Sequence, residues 1–126
     1  MNYKGELITF RLGSRYWWLE FVPPKGIPAN RENKKCNAVG QIVWHGRTIY
    51  IDRNISARTK TITFFHELTH EALGRVEARI SKDAQEKICD AVGCVMTEFF
   101  YGNRNFELPF LPRDYERKAG HSPRRR

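Results

Sequence analysis

The segment His66-Glu67-Leu68-Thr69-His70 constrains this chain more than any other part of its sequence. Residues four apart share one face of a helix, so a helical conformation lets His66 and His70 each direct a ring nitrogen at one metal ion. Glu67 then lies close enough to hydrogen-bond a water on that ion. Two imidazoles, an open coordination position and a carboxylate base are the parts of a hydrolytic zinc site. We therefore predict Zn²⁺ as the cofactor and Glu67 as the catalytic base.

The residues around this motif predict a helix over 57–73, with Ser56 as its N-cap and Gly74 as its stop signal. Its apolar side chains form one stripe, which consists of Ile62, Phe64, Phe65, Leu68, Ala72 and Leu73. His66 and His70 fall at the border of that stripe, where a half-buried ion would lie. The competing interpretation is a pair of ordinary histidines on a solvated helix face.

A second helix is predicted over 82–101. One side of it is polar and includes Thr97, but the rest is apolar nearly all round, which predicts burial on more than one face. Gly93 lies at the border between the polar and apolar sides, and its lack of a side chain would let the first helix approach closely.

Two β-hairpins are predicted in the first half of the chain. Their strands are 6–12 and 15–22, joined by Gly13-Ser14, and 39–44 and 47–52, joined by His45-Gly46. Gly46 is expected to supply the positive φ of the second tight turn. The run Tyr16-Trp17-Trp18 is typical of a sheet face or core, although adjacent rings can also form a stacking platform for bases or sugars.

The segment 23–38, between the hairpins, is predicted to be one long loop without regular structure. Its first six residues include three prolines, and proline lacks the backbone donor that regular structure needs. Long loops are often functional or mobile, so this one is expected either to border a cleft or to be disordered.

Together these elements predict an α+β fold, in which a small antiparallel sheet of two hairpins packs on the two helices. One domain is expected over 1–112, with its core at 40–101, followed by a basic tail at 113–126. The strand with Ile49-Tyr50-Ile51 ends just before the metal-site helix. We expect an exposed edge of this strand to bind an extended peptide substrate as one more strand.

The chain is strongly basic, with 22 Lys and Arg against 14 Asp and Glu and a net charge of +8. Half of that excess lies in the tail 113–126. This tail can bind DNA or an acidic partner electrostatically, or it can be a frayed, solubilising terminus. No segment is typical of a signal peptide or a membrane span, and the odd number of three cysteines indicates reduced thiols. We therefore expect a cytoplasmic protein without a membrane partner.

A catalytic zinc site usually has three protein ligands and one water. The candidates for the third ligand are Glu71, Glu77, Glu86, Asp90, Glu98, Cys89, Cys94, His45 and His121. Glu86 is favoured because it shares a strip of the second helix with Gly93, at the border of the apolar side. Asp90 and Glu98 are typical of the polar face of that helix. The residues alone leave the choice open, since Glu86 can also be an ordinary solvated carboxylate.

The stretch 40–100 resembles the ImmA/IrrE family of small metallopeptidases, which is common in bacteria, phages and other mobile elements. The matching pieces are Ile49-Tyr50-Ile51, the connector 52–58, the segment 64–73 around the motif and the segment 86–93 of the second helix. The resemblance implies that His66, His70 and Glu86 bind zinc and that Glu67 is the catalytic base. It also implies a zincin-like domain, a protein substrate such as a repressor and, for a phage-encoded chain, a location in the host cytoplasm.

The leading interpretation is therefore a zinc metallopeptidase that hydrolyses a peptide bond in a protein substrate, such as a repressor or another regulator. The alternative is a basic nucleic-acid-binding module with a structural or idle metal site, which the net charge and the aromatic hairpin favour. A third class is a partner-binding protein that keeps the scaffold without catalysis. The presence of Glu67 argues against a purely structural metal site, because such a site has no use for a base.

Overall fold

The computed structural model describes residues 7–76 and 79–103 of the chain. Its elements are β1 Leu7–Leu12, β2 Arg15–Val22, a 3₁₀ helix Pro24–Gly26, α1 Pro28–Glu32, β3 Gly40–Val43, β4 Thr48–Asp52, α2 Ala57–Arg75 and α3 Lys82–Gly102. This arrangement of a small sheet and two long helices confirms the predicted α+β class. The basic tail 113–126 and the candidate ligands Glu77 and His121 lie outside the described residues.

The four strands form one sheet in the order β1-β2-β4-β3. β1 with β2 and β3 with β4 are the two predicted antiparallel hairpins, and Gly13 has a φ of 64° in the first turn. β2 and β4, however, pair in parallel, so the sheet is mixed rather than wholly antiparallel. The segment after β2 starts β3 at the end of the sheet where β2 finishes. For that reason β4 returns beside β2 in the same direction.

The hydrophobic core lies between one face of this sheet and α2. Its buried side chains are Trp17, Leu19, Phe21, Ile42, Ile49, Ile51 and Phe64. Alternate residues of a strand point to the same face, which explains the spacing of the core residues along β2 and β4. Trp17 is 3% exposed, so the sheet-core interpretation of the aromatic run holds for this residue. Tyr16 is exposed, and the Arg11 guanidinium lies over its ring at 5.5 Å.

The turn between β3 and β4 differs from the prediction. It is a four-residue turn, 44–47, and the positive φ of 48° falls on Arg47 rather than on Gly46. Trp44 lies in the turn rather than in the strand, and its indole Nε1 donates a hydrogen bond of 2.6 Å to Glu71 of α2. The Arg47 side chain then donates through Nε to a backbone carbonyl of β2, at 2.9 Å.

The segment between β2 and β3 is not the structureless loop that the prolines predicted. It contains the 3₁₀ helix and α1, and both begin at a proline, which is tolerated in a first turn because that N–H has no helical partner. Asn30 fastens the segment, since its side chain donates to the Ala38 carbonyl and accepts from the Ala38 N–H, both at 2.9 Å. Gln41 of β3 accepts a further bond of 2.8 Å from the Ala29 N–H. The segment is thus held against β3.

α2 begins as predicted, because the Ser56 side chain accepts a hydrogen bond from the Thr59 N–H. α3 runs back along α2 and packs chiefly on it. The contact is close at Gly93, where an added Cβ would lie 2.7 Å from the Ile62 carbonyl oxygen. The close approach predicted for this glycine is therefore confirmed.

The prediction that α3 is buried on more than one face is wrong. Its buried residues form a single stripe, Cys89, Gly93, Thr97 and Phe100. Large apolar side chains elsewhere on the helix are between 39% and 61% exposed, namely Ile88, Val95, Met96 and Phe99. The reason is that α2 lies between α3 and the sheet and covers one side of α3. None of the helices among the described residues combines the length and apolarity needed to cross a membrane.

Candidate metal centre

The two motif histidines lie side by side on the face of α2 that meets α3. Their ring centroids are 5.0 Å apart, and each side chain is 16% exposed. The helical context that the motif requires is therefore present, and both rings lie at the border of the buried surface. This border position follows from the sequence, because His66 and His70 flank the apolar stripe that packs on the sheet.

Glu86 of α3 reaches both histidines with one carboxylate. Its Oε1 lies 3.1 Å from His66 Nε2, and its Oε2 lies 3.0 Å from His70 Nε2. Two ligand atoms at about 2.1 Å from one tetrahedral ion are roughly 3.4 Å apart, so the observed spacing is close to that of ligands around a shared ion. The structure thus brings together the three residues that the family resemblance implies as ligands.

Asp90, one turn further along α3, contacts the other nitrogen of the His66 ring. Its Oδ1 lies 2.8 Å from His66 Nδ1. A carboxylate accepts hydrogen bonds, so we assign the ring proton to Nδ1, which leaves the Nε2 lone pair facing Glu86. A carboxylate behind a metal-binding imidazole is common in zinc sites. Asp90 lies on the polar face of α3, as predicted, and its side chain is 70% exposed. Its four-residue spacing from Glu86 places both carboxylates on one side of the helix.

The donor set fits a divalent metal ion. Burial lowers the pKa of His70, although the Glu86 charge opposes this effect, so a neutral ring with a free lone pair is favoured at neutral pH. Two imidazole nitrogens and a carboxylate that converge on one point can share the protons of hydrogen bonds or, in place of those protons, one divalent cation. Nitrogen and oxygen donors of this kind suit zinc and related divalent metals.

Cys89 is a second candidate for the third ligand. Its sulfur lies within 4.8 Å of a ligand atom on each of His66 and His70, and the residue is fully buried. Burial raises the pKa of the Cys89 thiol to about 11, and the charges of Glu86, Glu67 and Asp90 add to the effect. A thiol must lose its proton to bind a metal, so these carboxylates disfavour it as a ligand. Glu86 is the better candidate because it contacts both imidazoles directly.

Glu67 lies buried beside the histidines, with 7% of its surface exposed. Burial raises the pKa of its carboxyl group from 4.5 to about 7, while the charge of His66 and a backbone hydrogen bond from Ile42 oppose the shift. A carboxyl group with a pKa near the working pH can both accept and donate a proton. The residue predicted as the base therefore has the environment of a general acid–base.

A cleft of about 770 Å³ opens over this group of residues. One wall is β3 with the residues that precede it, and the other is formed by α2 and α3. The Ile42 N–H already points into the cleft, because it donates to the Glu67 carboxylate. Within the described sheet, β3 has β4 as its single neighbour, and Gly40, Gln41 and Ile42 of β3 line the cleft together with His66 and His70.

The predicted docking edge at Ile49-Tyr50-Ile51 is not available for a peptide. β4 lies between β2 and β3, and both of its edges are paired. Ile49 and Ile51 have no exposed surface. The prediction failed because the order of strands in a sheet depends on tertiary packing, which the residues of one strand do not encode.

Comparisons with protein-family models, with curated proteins and with solved structures give no match for this chain. The relationship to the ImmA/IrrE family therefore stays a prediction. The cytoplasmic location and the binding of DNA or an acidic partner through the tail 113–126 also stay predictions.

The raised pKa of Glu67 predicts a pH-dependent stability in the metal-free protein. The carboxyl group has a pKa of 4.5 when unfolded and about 7 when folded, so the folded state binds more protons between these values. The wild-type free energy of unfolding should therefore fall as the pH rises through this window. Glu67→Gln mimics the protonated acid, so above pH 7 it should be more stable than the wild type by about 3 kcal/mol, with little difference below about pH 5.

Urea unfolding with a chelator present, at a series of pH values, measures this difference. His70 is common to both proteins, so its own titration largely cancels in the comparison. Glu98→Gln on the exposed surface of α3 is the matched control and should follow the wild type. A stability difference for Glu67→Gln that does not change with pH would contradict a proton-binding buried carboxyl group.

Proposed function

We propose that this chain is a zinc-dependent peptidase that hydrolyses a peptide bond in a protein substrate. The observation that supports the proposal is the Glu86 carboxylate between His66 Nε2 and His70 Nε2, at 3.1 and 3.0 Å, with the buried Glu67 beside them. Three protein ligands leave one coordination position open, whereas a structural zinc site uses four. The cleft gives a substrate access to that position.

Zinc bound by His66, His70 and Glu86 would supply Lewis-acid activation of the attacking water and of the scissile carbonyl. Glu67 accepts the proton of the water and later delivers it to the leaving amine. The Ile42 N–H fixes the Glu67 carboxylate at the wall of the cleft. Asp90 keeps the His66 ring in one orientation through the 2.8 Å contact at Nδ1.

β3 takes the docking role that the sequence reasoning gave to β4. No described strand pairs with its outer edge, which borders the cleft from Gly40 to Ile42, and a docked peptide would use the backbone groups of this edge other than the Ile42 N–H, which is bonded to Glu67. An extended peptide can add to such an edge as a further strand, which places its backbone next to the metal centre. This arrangement favours an unfolded or extended segment of a protein as the substrate.

The identity of the third ligand predicts a difference in zinc affinity between two variants. Glu86→Gln should bind zinc at least about tenfold more weakly than the wild type, because the amide carries no charge for the ion. Cys89→Ala should bind zinc within about threefold of the wild type, because the thiol is only a neighbour of the site. Competition with a chromogenic chelator measures both affinities. The reverse order of the two effects would make Cys89 the third ligand.

The role of Glu67 predicts a variant that binds zinc and does not hydrolyse. Glu67→Gln should retain one zinc per chain and lose roughly 100-fold or more in kcat/KM, because proton transfer by a positioned group contributes that much. Zinc content and cleavage of a denatured protein substrate are measured on the same preparation. Glu98→Gln is the control and should remain active. Full activity of Glu67→Gln would show that another group is the base.

If the substrate docks on β3 as an added strand, only every second backbone N–H of the substrate should be needed for cleavage. Alternate N–H groups of an added strand point toward its neighbour. N-methylation of a cleaved peptide at every second residue should therefore abolish cleavage, while methylation of the intervening residues should have a small effect. Rates for a series of singly methylated peptides give the pattern. Equal losses at all positions would contradict docking as an added strand.

A further inference from the structure

The cleft over the candidate metal centre has a neighbouring cavity beyond each end of β3. A cavity of about 510 Å³ shares the lining residue Asn37 with the cleft, and Asn37 precedes β3. A third cavity, of about 520 Å³, shares Trp44 with the cleft, and Trp44 follows β3. An extended chain that lies along β3 would therefore reach one of these end cavities on each side.

The cavity at the Asn37 end is basic. Lys25, Arg31 and Lys34 line it, and none of the described residues that line it is Asp or Glu. Arg31 and Lys34 are exposed, and neither forms an ion pair within the described part of the chain. A carboxylate of a ligand would find cationic partners at this end.

The cavity at the Trp44 end is also basic. Arg15, Arg47 and Arg75 line it, with Glu71 as the one carboxylate among its described lining residues. Both Glu71 oxygens are already in use, because Oε1 accepts from the Trp44 indole at 2.6 Å and Oε2 accepts from Arg75 Nε at 2.9 Å. A guanidinium carries five N–H donors, so Arg47 and Arg75 keep donors for a ligand after their Nε bonds.

The cleft between the two basic cavities is acidic instead. Glu67, Glu86 and Asp90 line the cleft, and Lys82 is its one Lys or Arg among the described residues. A nucleic-acid strand carries a charge at every repeat and suits a groove that is positive throughout. A peptide can instead place its charges at the two ends and a neutral stretch in the centre. The pattern of charge therefore favours a peptide.

We propose that this surface selects an extended peptide segment with acidic residues on both sides of the scissile bond, held by the basic cavities at Asn37 and Trp44. The inference rests on the proposed peptidase function and names its class of substrate. Asn37 and Trp44 are seven residues apart, and an extended peptide of that length spans about 23 Å at roughly 3.3 Å per residue. The acidic residues are thus expected about three to four positions from the scissile bond on each side.

Peptide binding to the Glu67→Gln variant, which is expected not to cleave, tests the preference for acidic flanks directly. Fluorescein-labelled peptides share a neutral centre of about seven residues, which matches the separation of Asn37 and Trp44, and carry either Glu or Gln on both flanks. Zinc-loaded Glu67→Gln should bind the Glu-flanked peptide at least about tenfold more tightly, and the difference should shrink as salt is added. Affinities within twofold of each other would overturn the proposal.

Charge-neutralising variants identify which surface is responsible. Arg15→Gln with Arg75→Gln, and Arg31→Gln with Lys34→Gln, should each weaken binding of the Glu-flanked peptide about threefold or more and leave the Gln-flanked peptide unchanged. The matched control, Arg53→Gln with Arg58→Gln, removes the same charge from residues that line none of the three cavities. An equal loss of affinity in the control variant would show that the effect comes from net charge alone, and this would overturn the proposal.

Two further results separate this inference from the peptidase function. Equal kcat/KM of the wild type for the Glu-flanked and Gln-flanked peptides would overturn the acidic selection and leave the peptidase intact. Tight, cavity-dependent binding of the Glu-flanked peptide without any cleavage would support the selection and contradict the peptidase. Tighter binding of an oligothymidylate with the same number of charges would overturn the selection in favour of a nucleic-acid surface.

Discussion

The close packing of α3 on α2 at Gly93 determines the geometry of the metal centre. An added Cβ there would lie 2.7 Å from the Ile62 carbonyl, so no larger residue permits the same approach without a shift of backbone. With the helices this close, Glu86, two turns earlier on α3, reaches Nε2 of both motif histidines. Asp90 reaches the far side of the His66 ring from the same helix. One helix–helix contact thus positions both Glu86, the proposed third ligand, and Asp90, which contacts His66.

The sheet contributes the other half of the site. Its buried face fixes α2 against β3, and this contact buries Glu67 next to the Ile42 N–H. Burial of a lone carboxylate is costly, which is why the Glu67 pKa rises to about 7 in the metal-free protein. A cation at the nearby histidines would stabilise the charged form of Glu67, so metal binding and proton release are expected to be coupled.

The helical parts of the site could be predicted from the sequence because their information is local. The motif, the Ser56 cap and the strip that carries Glu86 follow from spacing along single helices. Asp90 was considered only as a third ligand, and its contact with His66 Nδ1 was not predicted although the same spacing rule places it beside Glu86. Pro24 and Pro28 begin two short helices but were interpreted as loop residues. Proline is common both in loops and at the first position of a helix, so its presence alone does not distinguish the two.

The arrangement of the sheet could not be predicted in the same way. The hairpins are local, but the parallel pairing of β2 with β4 depends on where the chain re-enters the sheet. That pairing makes β3, and not β4, the strand beside the cleft. The exposed side of α3 is likewise a result of tertiary placement, because α2 separates this helix from the sheet. Local patterns therefore indicated which residues form the candidate site, while tertiary packing decided which strand borders the cleft.

The most direct test of the proposed metal centre is the zinc content of the purified protein after exposure to zinc, measured by mass spectrometry beside His70→Ala. The account predicts about one zinc per wild-type chain and none in the variant, because His70 supplies one of only three protein ligands. No bound zinc in the wild type, or the same content in both proteins, would contradict a metal centre at His66, His70 and Glu86.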